Sequence, residues 1–259
     1  MNDAPEPVTH DMLLDGRVRI VQPRRGHRAG TDAVLLAAAV DPHGDETVVD
    51  VGAGTGAVGL MIAARARGAG IVLVERDPEL AAQCRHNVRL NGFEARARVV
   101  EADILASAGE RRRNGLASES ASIVVTNPPF LDAGRSRASP DARRAAAHQL
   151  PENGLEQWLR ACGDLLKPKG VLALIHRGDQ LAECLRHLQR GFGGVVVKAI
   201  HPRAGEPAVR IVISARKGSR APLLIAPPLV LHEGDGRFTA DADAIHRGEK
   251  LLASDFAST

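Results

Sequence analysis

Residues 47–56 read Thr47-Val48-Val49-Asp50-Val51-Gly52-Ala53-Gly54-Thr55-Gly56, a short apolar run that meets a carboxylate and then three closely spaced glycines. Residues 57–67 are rich in Ala, Met, Ile and Leu, which favours a helix. The segment therefore predicts a strand, a glycine turn and a helix in succession. Glycines in such a turn let the backbone approach a ligand closely, and the unpaired N–H groups at the start of the helix point into the same crevice.

Apolar strands and amphipathic helices alternate along the rest of the chain. Strands are predicted at 71–75, 96–100, 121–126, 171–175, 195–200 and 208–214, and helices at 78–90, 154–166 and 180–190. Such alternation indicates a mainly parallel sheet with helices on both faces. The arginine-rich stretch 107–120 lacks periodicity and is predicted to be a mobile loop, whereas the proline-containing stretch 221–231 is predicted to be extended and packed on the body.

Composition narrows the class of protein. The 259 residues and the apolar fraction of 44% suit one α/β domain with additional segments at its ends. The three cysteines show no metal-binding spacing and are interpreted as reduced thiols, and the acidic N-terminus does not resemble a signal peptide. The longest apolar run, 33–40, is far too short to cross a bilayer. We therefore expect a soluble cytoplasmic protein with neither a membrane partner nor a metal site.

Acidic residues at strand ends predict a site for an adenosine-containing cofactor. Asp50 is expected to serve the amino acid end of the cofactor, directly or through water. Glu75, at the end of the next strand, can accept both ribose hydroxyls, and Asp103 can accept from the adenine amino group. The glycines that leave room for the ligand are Gly52, Gly54 and Gly56.

The glycine turn alone does not decide which cofactor binds. Residues 54–59 also satisfy the G-x-G-x-x-G fingerprint of dinucleotide binding, so NAD is an alternative to S-adenosylmethionine. A glycine turn required only by tight packing is a third interpretation. Nearby, Asp32 is expected either to close the pocket or to cap a helix that begins at Ala33, and Trp158 is interpreted as core.

A second motif, Asn127-Pro128-Pro129-Phe130, follows the predicted strand 121–126. The amino group of adenine is a poor nucleophile because its lone pair is delocalised into the ring. If the side-chain oxygen of Asn127 and the carbonyl of Pro128 each accept one N–H, the lone pair is freed to meet a methyl group. The prolines keep the chain extended, and Phe130 can stack on the base. The motif, although also an ordinary loop sequence, predicts methyl transfer by alignment without a general base.

Arginine is unevenly distributed although the formal net charge is only +3. Clusters at 24–28, 111–113 and 135–144 suit contact with phosphates, and equally suit a solvated surface. Aromatic residues are too scarce for a platform of stacked bases, which favours a pocket for a single base. The residues expected to contact RNA are Arg28, Arg135, Arg137, Arg144 and His148, the last of which is also a common kind of surface loop residue.

With these motifs the chain resembles the class I S-adenosylmethionine-dependent methyltransferases, and among them the tRNA adenine-N6 methyltransferases that modify the adenosine beside the anticodon of a valine tRNA. The resemblance covers most of the chain and rests on segments 26–36, 50–56, 127–130, 144–148 and 216–218 together with Glu75. It implies a Rossmann-like α/β fold with a seven-stranded, mainly parallel sheet whose last hairpin is reversed. It also implies S-adenosylmethionine at the glycine turn and an adenine flipped into a pocket at Asn127. Phe130 replaces the more common Tyr, so a hydroxyl is missing.

The resemblance leads to a division of the chain and to a preferred activity. We expect an N-terminal extension (1–46) packed on the cleft, a methyltransferase domain (47–217) and a C-terminal extension (218–259) packed on the same domain. The expected activity is methylation of the exocyclic N6 amino group of an adenine in RNA, with tRNA near the anticodon as substrate. Enzymes that methylate guanine N2 of rRNA or glutamine N5 of a protein carry similar motifs and remain alternatives. A non-catalytic RNA-binding module is disfavoured, because Asp50, Glu75, Asp103 and Asn127 are all present.

Overall fold

The computed structural model describes residues 8–24, 28–129 and 154–256, with only the backbone at 254 and 255. The strands within these ranges are β1 (Val8–Leu13), β2 (Val18–Pro23), β3 (Thr47–Val51), β4 (Gly70–Glu75), β5 (Ala97–Glu101), β6 (Ala121–Thr126), β7 (Leu166–Arg177), β8 (Phe192–Arg203), β9 (Arg210–Lys217) and β10 (Leu224–His232). The α-helices are α1 (Thr31–Ala38), α2 (Ala57–Arg65), α3 (Pro78–Leu90), α4 (Ala108–Arg113), α5 (Gly154–Leu165), α6 (Leu181–Leu188) and α7 (Ala240–His246), and 3₁₀ turns lie at Gly178–Gln180 and Ala253–Phe256. Of these helices, none combines the length and the apolar character needed to span a bilayer.

Within the described ranges, eight strands form one sheet in the order β10-β8-β9-β7-β6-β3-β4-β5. Five neighbouring strands of this sheet are mutually parallel, namely β7, β6, β3, β4 and β5. Strand β9 runs antiparallel to both of its neighbours, β7 and β8. This arrangement confirms the predicted Rossmann-like α/β class and its reversed last hairpin. The sheet has eight strands rather than the expected seven, because β10 pairs in parallel with β8.

The additional strand, β10, lies at the edge of the sheet although it contains prolines. Proline has no N–H to donate, so it is tolerated at sheet edges and at irregularities in the pairing. The register between β10 and β8 shifts between Ala226 and Leu229, where Pro227 and Pro228 lie. The extended conformation predicted for 221–231 is confirmed, but the prolines concealed its pairing with the sheet.

Helices cover both faces of the sheet, as predicted. One buried cluster joins residues of α1, α2, α3 and α7 to the sheet and to β2, and a second cluster packs α5 and α6 on the opposite face. Helix α1 is buried along almost its whole length, at residues 33–38. Strands β1 and β2 form a separate antiparallel hairpin outside the main sheet, which we call the N-terminal hairpin.

The stretch 107–120 is not the mobile loop that its composition predicted, because it contains α4. Ser107 caps this helix through its side chain. Arg111 is buried, donates to two backbone carbonyls, and pairs with Asp164 at 2.9 Å. Arg111 therefore stabilises the fold and is not available to phosphates. The helix escaped prediction because its ends are held by polar contacts, which leave no apolar periodicity.

The three cysteines are free and buried. Burial raises the pKa of each thiol, so the protonated and unreactive form prevails at neutral pH. The cysteines thus serve as small packing residues of the two cores.

Candidate active site

The carboxyl ends of the parallel strands open onto a cavity of about 610 Å³. Its walls are formed at the ends of β3 (residues 52–55), β4 (75–76), β5 (102–104) and β6 (Asn127 and Pro129), with residues 28–33 on the N-terminal side. Because β9 is antiparallel, its first residue, Arg210, reaches the same edge of the sheet. This edge is where open α/β sheets bind their ligands.

The glycine turn after β3 is held against the neighbouring strand. The backbone N–H groups of Gly52 and Ala53 both donate to the carbonyl of Val74, at 3.0 and 2.9 Å. Gly52 has φ +75°, and a Cβ atom there would lie 3.1 Å from the Trp158 ring. Gly56 has φ +92°, and a Cβ atom there would lie 2.7 Å from Sγ of Cys84. Both positions therefore require glycine for conformation and for space.

Asp50 lies beneath the turn and outside the cavity lining. Its Oδ2 accepts the backbone N–H of Gly59 at 2.9 Å, and the residue is only 2% exposed. Burial raises the pKa of Asp50 to about 7; the hydrogen bond from Gly59 opposes this rise and the carboxylate of Glu75 adds to it. The structure thus places Asp50 where it fixes the turn to the first residues of α2.

Glu75 and Asp103 line the cavity with carboxylates that are themselves held in place. The two oxygens of Glu75 accept the backbone N–H groups of Gly54, at 2.8 Å, and Asp77, at 2.9 Å. Oδ1 of Asp103 accepts the N–H of Leu105 at 2.8 Å. Each carboxylate oxygen has further lone pairs, so both side chains can still accept hydrogen bonds from the hydroxyl or amino groups of a ligand.

The end of β6 brings the Asn-Pro-Pro motif beside the glycine turn. Oγ1 of Thr126 donates to the carbonyl of Val51 at 2.9 Å, and the next residue, Asn127, lines the cavity. Pro129 also lines the cavity, whereas Pro128 is buried behind it. The remaining predicted residues, Phe130, Arg135, Arg137, Arg144 and His148, lie outside the described ranges.

The N-terminal wall contains residues whose contacts the sequence did not predict. Asp32 does not cap α1, whose N-cap is Gly30; it pairs with Arg210 at 2.9 Å inside the cavity. Arg28, expected to contact RNA, lines the cavity and pairs with Asp11 at 3.0 Å. No local signal could have identified Arg210, because its partner lies far away in the sequence.

Trp158 is buried, as predicted, and it also lines the cavity. Its Nε1 donates to Oγ1 of Thr126 at 2.9 Å. Its ring lies directly under Gly52. Trp158 therefore belongs both to the core and to the cavity wall. The amphipathic pattern of its helix indicates only the first of these roles.

A family model described as the methyltransferase small domain matches residues 28–202. The chain belongs to this family. Two relatives are named tRNA1(Val) (adenine(37)-N6)-methyltransferase. The one from Porphyromonas gingivalis is 36% identical over 178 residues, which cover 67% of this chain and 68% of the relative. The one from Dickeya chrysanthemi is 27% identical over 234 residues, which cover 88% of this chain and 89% of the relative.

Solved methyltransferase structures share the fold. A crystal structure from Agrobacterium tumefaciens, named a predicted O-methyltransferase, aligns with a TM-score of 0.73 and 35% identity over 85% of this chain and 98% of that chain. The T. thermophilus 16S rRNA N2 G1207 methyltransferase, in complex with AdoMet and guanosine, aligns with a TM-score of 0.59 and 21% identity over 82% of this chain and 50% of that chain.

Family membership decides between the cofactors that the glycine turn left open. The protein is a class I S-adenosylmethionine-dependent methyltransferase, and the dinucleotide interpretation of residues 54–59 does not apply. The cavity fits such a cofactor in volume, since small-molecule and cofactor sites are typically ~300–1,000 Å³. Its lining also offers carboxylate acceptors, Glu75 and Asp103, and a glycine backbone. Among the residues described, no group of three or more His, Cys, Asp or Glu is arranged to hold a metal ion.

Proposed function

We propose that this methyltransferase transfers a methyl group to the exocyclic N6 amino group of an adenine in tRNA, at a position near the anticodon. The observation that carries the proposal is the placement of Asn127 in the same cavity as Gly52 and Gly54. The hydrogen-bond acceptor for the substrate's amino group and the turn for the cofactor therefore line one cavity. The names of the relatives from Porphyromonas gingivalis and Dickeya chrysanthemi support an adenine of tRNA as the acceptor.

The cofactor is proposed to lie along the turn, with Glu75 on its ribose hydroxyls and Asp103 on its adenine amino group. Both carboxylates line the cavity and are fixed by backbone N–H groups. Gly52 and Gly54 let the backbone approach, while Asp50 and Gly56 act from behind by holding the turn in shape. When bound, S-adenosylmethionine supplies a methyl group on a positively charged sulfur.

The protein's own residues prepare the acceptor. The side-chain oxygen of Asn127 and the backbone carbonyl of Pro128 accept the two N–H groups of the adenine amino nitrogen, which directs its lone pair towards the methyl group. The hydrogen bond from Thr126 to Val51 holds this acceptor pair at a constant distance from the turn. Alignment of this kind supplies much of the rate enhancement. No general base is required, because the amino nitrogen becomes acidic only once its bond to the methyl carbon forms. The nitrogen then releases one proton to solvent. Stacking of the adenine ring on Phe130 remains a prediction.

Arginines at the cavity give the proposal an RNA-facing rim. Arg28, Arg76 and Arg210 all line the cavity, and Arg76 is exposed. Arginine at such a rim can position a phosphate backbone while the base enters the pocket. The predicted contacts from Arg135, Arg137, Arg144 and His148 extend this proposal. A cytoplasmic location follows from a tRNA substrate and is part of the same proposal.

The test is transfer of labelled methyl from S-adenosylmethionine into separated, unmodified tRNA, rRNA and protein fractions, followed by nucleoside and amino acid analysis. The proposal expects label in tRNA as N6-methyladenosine. Label as N2-methylguanosine in rRNA, as methylglutamine in protein, or on a ribose oxygen would contradict adenine N6 as the methyl acceptor. The protein would still be a methyltransferase. A valine tRNA carrying guanosine in place of the adenosine beside the anticodon then tests the position, and it should accept no label.

A further inference from the structure

Two asparagine side chains, Asn87 in α3 and Asn91 directly after it, hold the N-terminal hairpin by hydrogen bonds like those between neighbouring strands. Oδ1 of Asn87 accepts the N–H of Val21 and its Nδ2 donates to the carbonyl of Val21, both at 2.9 Å. Asn91 makes the same pair of hydrogen bonds with Arg19, at 2.9 and 2.7 Å. Four residues of helix rise about 6 Å and two residues of strand about 6.8 Å, so the two amides match alternate residues of β2.

Each asparagine has a third partner, but only that of Asn87 belongs to the cofactor turn, since Nδ2 of Asn91 donates to the carbonyl of Asn87 itself at 2.8 Å. Nδ2 of Asn87 also donates to the carbonyl of Thr55 at 2.9 Å. Asn87 is completely buried, so these contacts are shielded from water. Thr55 lies between two glycines of the turn and lines the cavity. One side chain therefore holds both the hairpin and the cofactor turn.

The hairpin reaches the cavity by a second route, through the residue after Val21. Gln22 is buried, and its Oε1 accepts the N–H of Ala29 at 2.8 Å. Its Nε2 donates to Asp11 of β1 at 2.9 Å. Ala29 lines the cavity, in the N-terminal wall formed by residues 28–33. Movement of β2 would thus displace the cavity wall at two places, Thr55 and Ala29.

We propose that Asn87 is a positioning residue that couples docking of the N-terminal hairpin to affinity for S-adenosylmethionine. The hairpin, through Asn87, fixes the Thr55 carbonyl and so the shape of the turn. By linkage, cofactor bound at the turn stabilises the docked hairpin to the same extent. The inference rests on the cofactor lying against the turn, as proposed above, and is independent of the acceptor.

The matched variants Asn87→Ala and Asn91→Ala test the coupling. Each removes one amide pair to β2 and one further hydrogen bond: Asn87→Ala loses the bond to Thr55, whereas Asn91→Ala loses a bond to the backbone carbonyl of residue 87. We expect the Kd for S-adenosylmethionine, measured by calorimetry, to rise about tenfold for Asn87→Ala and to stay within about twofold for Asn91→Ala, because one buried hydrogen bond near the ligand is at stake. The KM for the cofactor should rise likewise, with kcat at saturation little changed. Equal Kd values for the two variants, at equal thermal stability, would overturn the proposal.

Hydrogen exchange on the wild-type protein keeps the proposal testable if Asn87→Ala does not fold. S-adenosylmethionine should slow exchange of the Val21 amide, which is donated to Asn87, more than that of the Arg19 amide, which is donated to Asn91. Protection of the amides at residues 53–56 without any change at Val21 would overturn the coupling alone. Absence of protection at residues 53–56 would overturn both the coupling and the proposed placement of the cofactor.

Discussion

The indole Nε1 of Trp158 donates a 2.9 Å hydrogen bond to Oγ1 of Thr126, which in turn donates at 2.9 Å to the carbonyl of Val51. Thr126 immediately precedes Asn127, and Val51 immediately precedes Gly52. The short relay therefore joins the ends of the two strands that carry the acceptor motif and the cofactor turn. In the proposed mechanism methyl transfer depends on alignment, so we expect this relay to help fix the distance between the motif and the turn.

Replacing the relay's central hydroxyl should destabilise the protein. Thr126→Val removes both hydrogen bonds and leaves the buried indole N–H of Trp158 without its acceptor, a change that typically costs about 1–3 kcal/mol. Urea denaturation should show this loss in the free energy of unfolding. Thr126→Ser keeps the hydroxyl and serves as the control, with stability close to wild type. A Thr126→Val protein as stable as wild type would show that the relay does not hold the strands.

Glycine at position 52 should be required for cofactor binding as well as for folding. Gly52→Ala places a Cβ atom against Trp158 at a positive φ, so it displaces the turn. Gly92 has φ +68° with nothing near its absent Cβ, so Gly92→Ala carries a similar backbone strain, about 1 kcal/mol or more, away from the cavity. We expect both variants to be less stable, but only Gly52→Ala to bind S-adenosylmethionine at least tenfold more weakly by calorimetry. Equal affinities for the cofactor would contradict this.

Stability should depend on pH through Asp50. Its pKa is raised from 3.8 to about 7 in the folded state, so the folded protein binds more protons than the unfolded chain between these values. The contribution of Asp50 to the free energy of unfolding therefore falls as pH rises from about 4 to 7, and is constant above that range.

Asp50→Asn should abolish this dependence while keeping an oxygen to accept the N–H of Gly59. Relative to wild type, we expect the variant to gain on the order of 2 kcal/mol of stability at pH 8 compared with pH 5, as measured by denaturant unfolding at both pH values. Parallel pH profiles for the two proteins would mean that Asp50 is ionised throughout this range.

The rim arginine Arg76 should contribute to RNA affinity through phosphate contact. Arg76→Ala should weaken tRNA binding several-fold and reduce the slope of log affinity against log salt concentration by about one, as expected for one lost phosphate contact. Arg186, exposed on α6 and paired with Glu183, is outside the cavity lining, so Arg186→Ala is the matched control. Identical salt slopes for the two variants would remove Arg76 from the interface.

The predictable parts of the fold and site are those whose signal is local in sequence. The strand, glycine turn and helix at 47–65 follow from residue pattern alone. Glu75 ends a predicted strand and Asn127 directly follows one, which is why the sequence could indicate that both lie at the cavity. Closure of the pocket was one of two expected roles for Asp32, but its pairing with Arg210 was not predicted, because an antiparallel strand brings together residues that no sequence motif connects.

Other features were missed because polar contacts replaced apolar periodicity. Arg111 looked like part of a basic loop until its burial and its pairing with Asp164 were seen. Asn87 carried no signal at all, since three backbone partners from two separate segments define its role. Such residues follow from tertiary structure and not from composition.

The most direct test of the account is the single-turnover rate of N6-methyladenosine formation in unmodified valine tRNA by wild type and Asn127→Ala, with S-adenosylmethionine affinity measured on the same proteins. Asn114, at the end of α4 and outside the cavity lining, provides the control variant Asn114→Ala. We expect Asn127→Ala to lose at least about a hundredfold in rate, as for removal of other aligned polar groups in active sites, while the Kd for the cofactor changes less than about threefold. An Asn127→Ala enzyme that forms N6-methyladenosine at the wild-type rate would contradict the account.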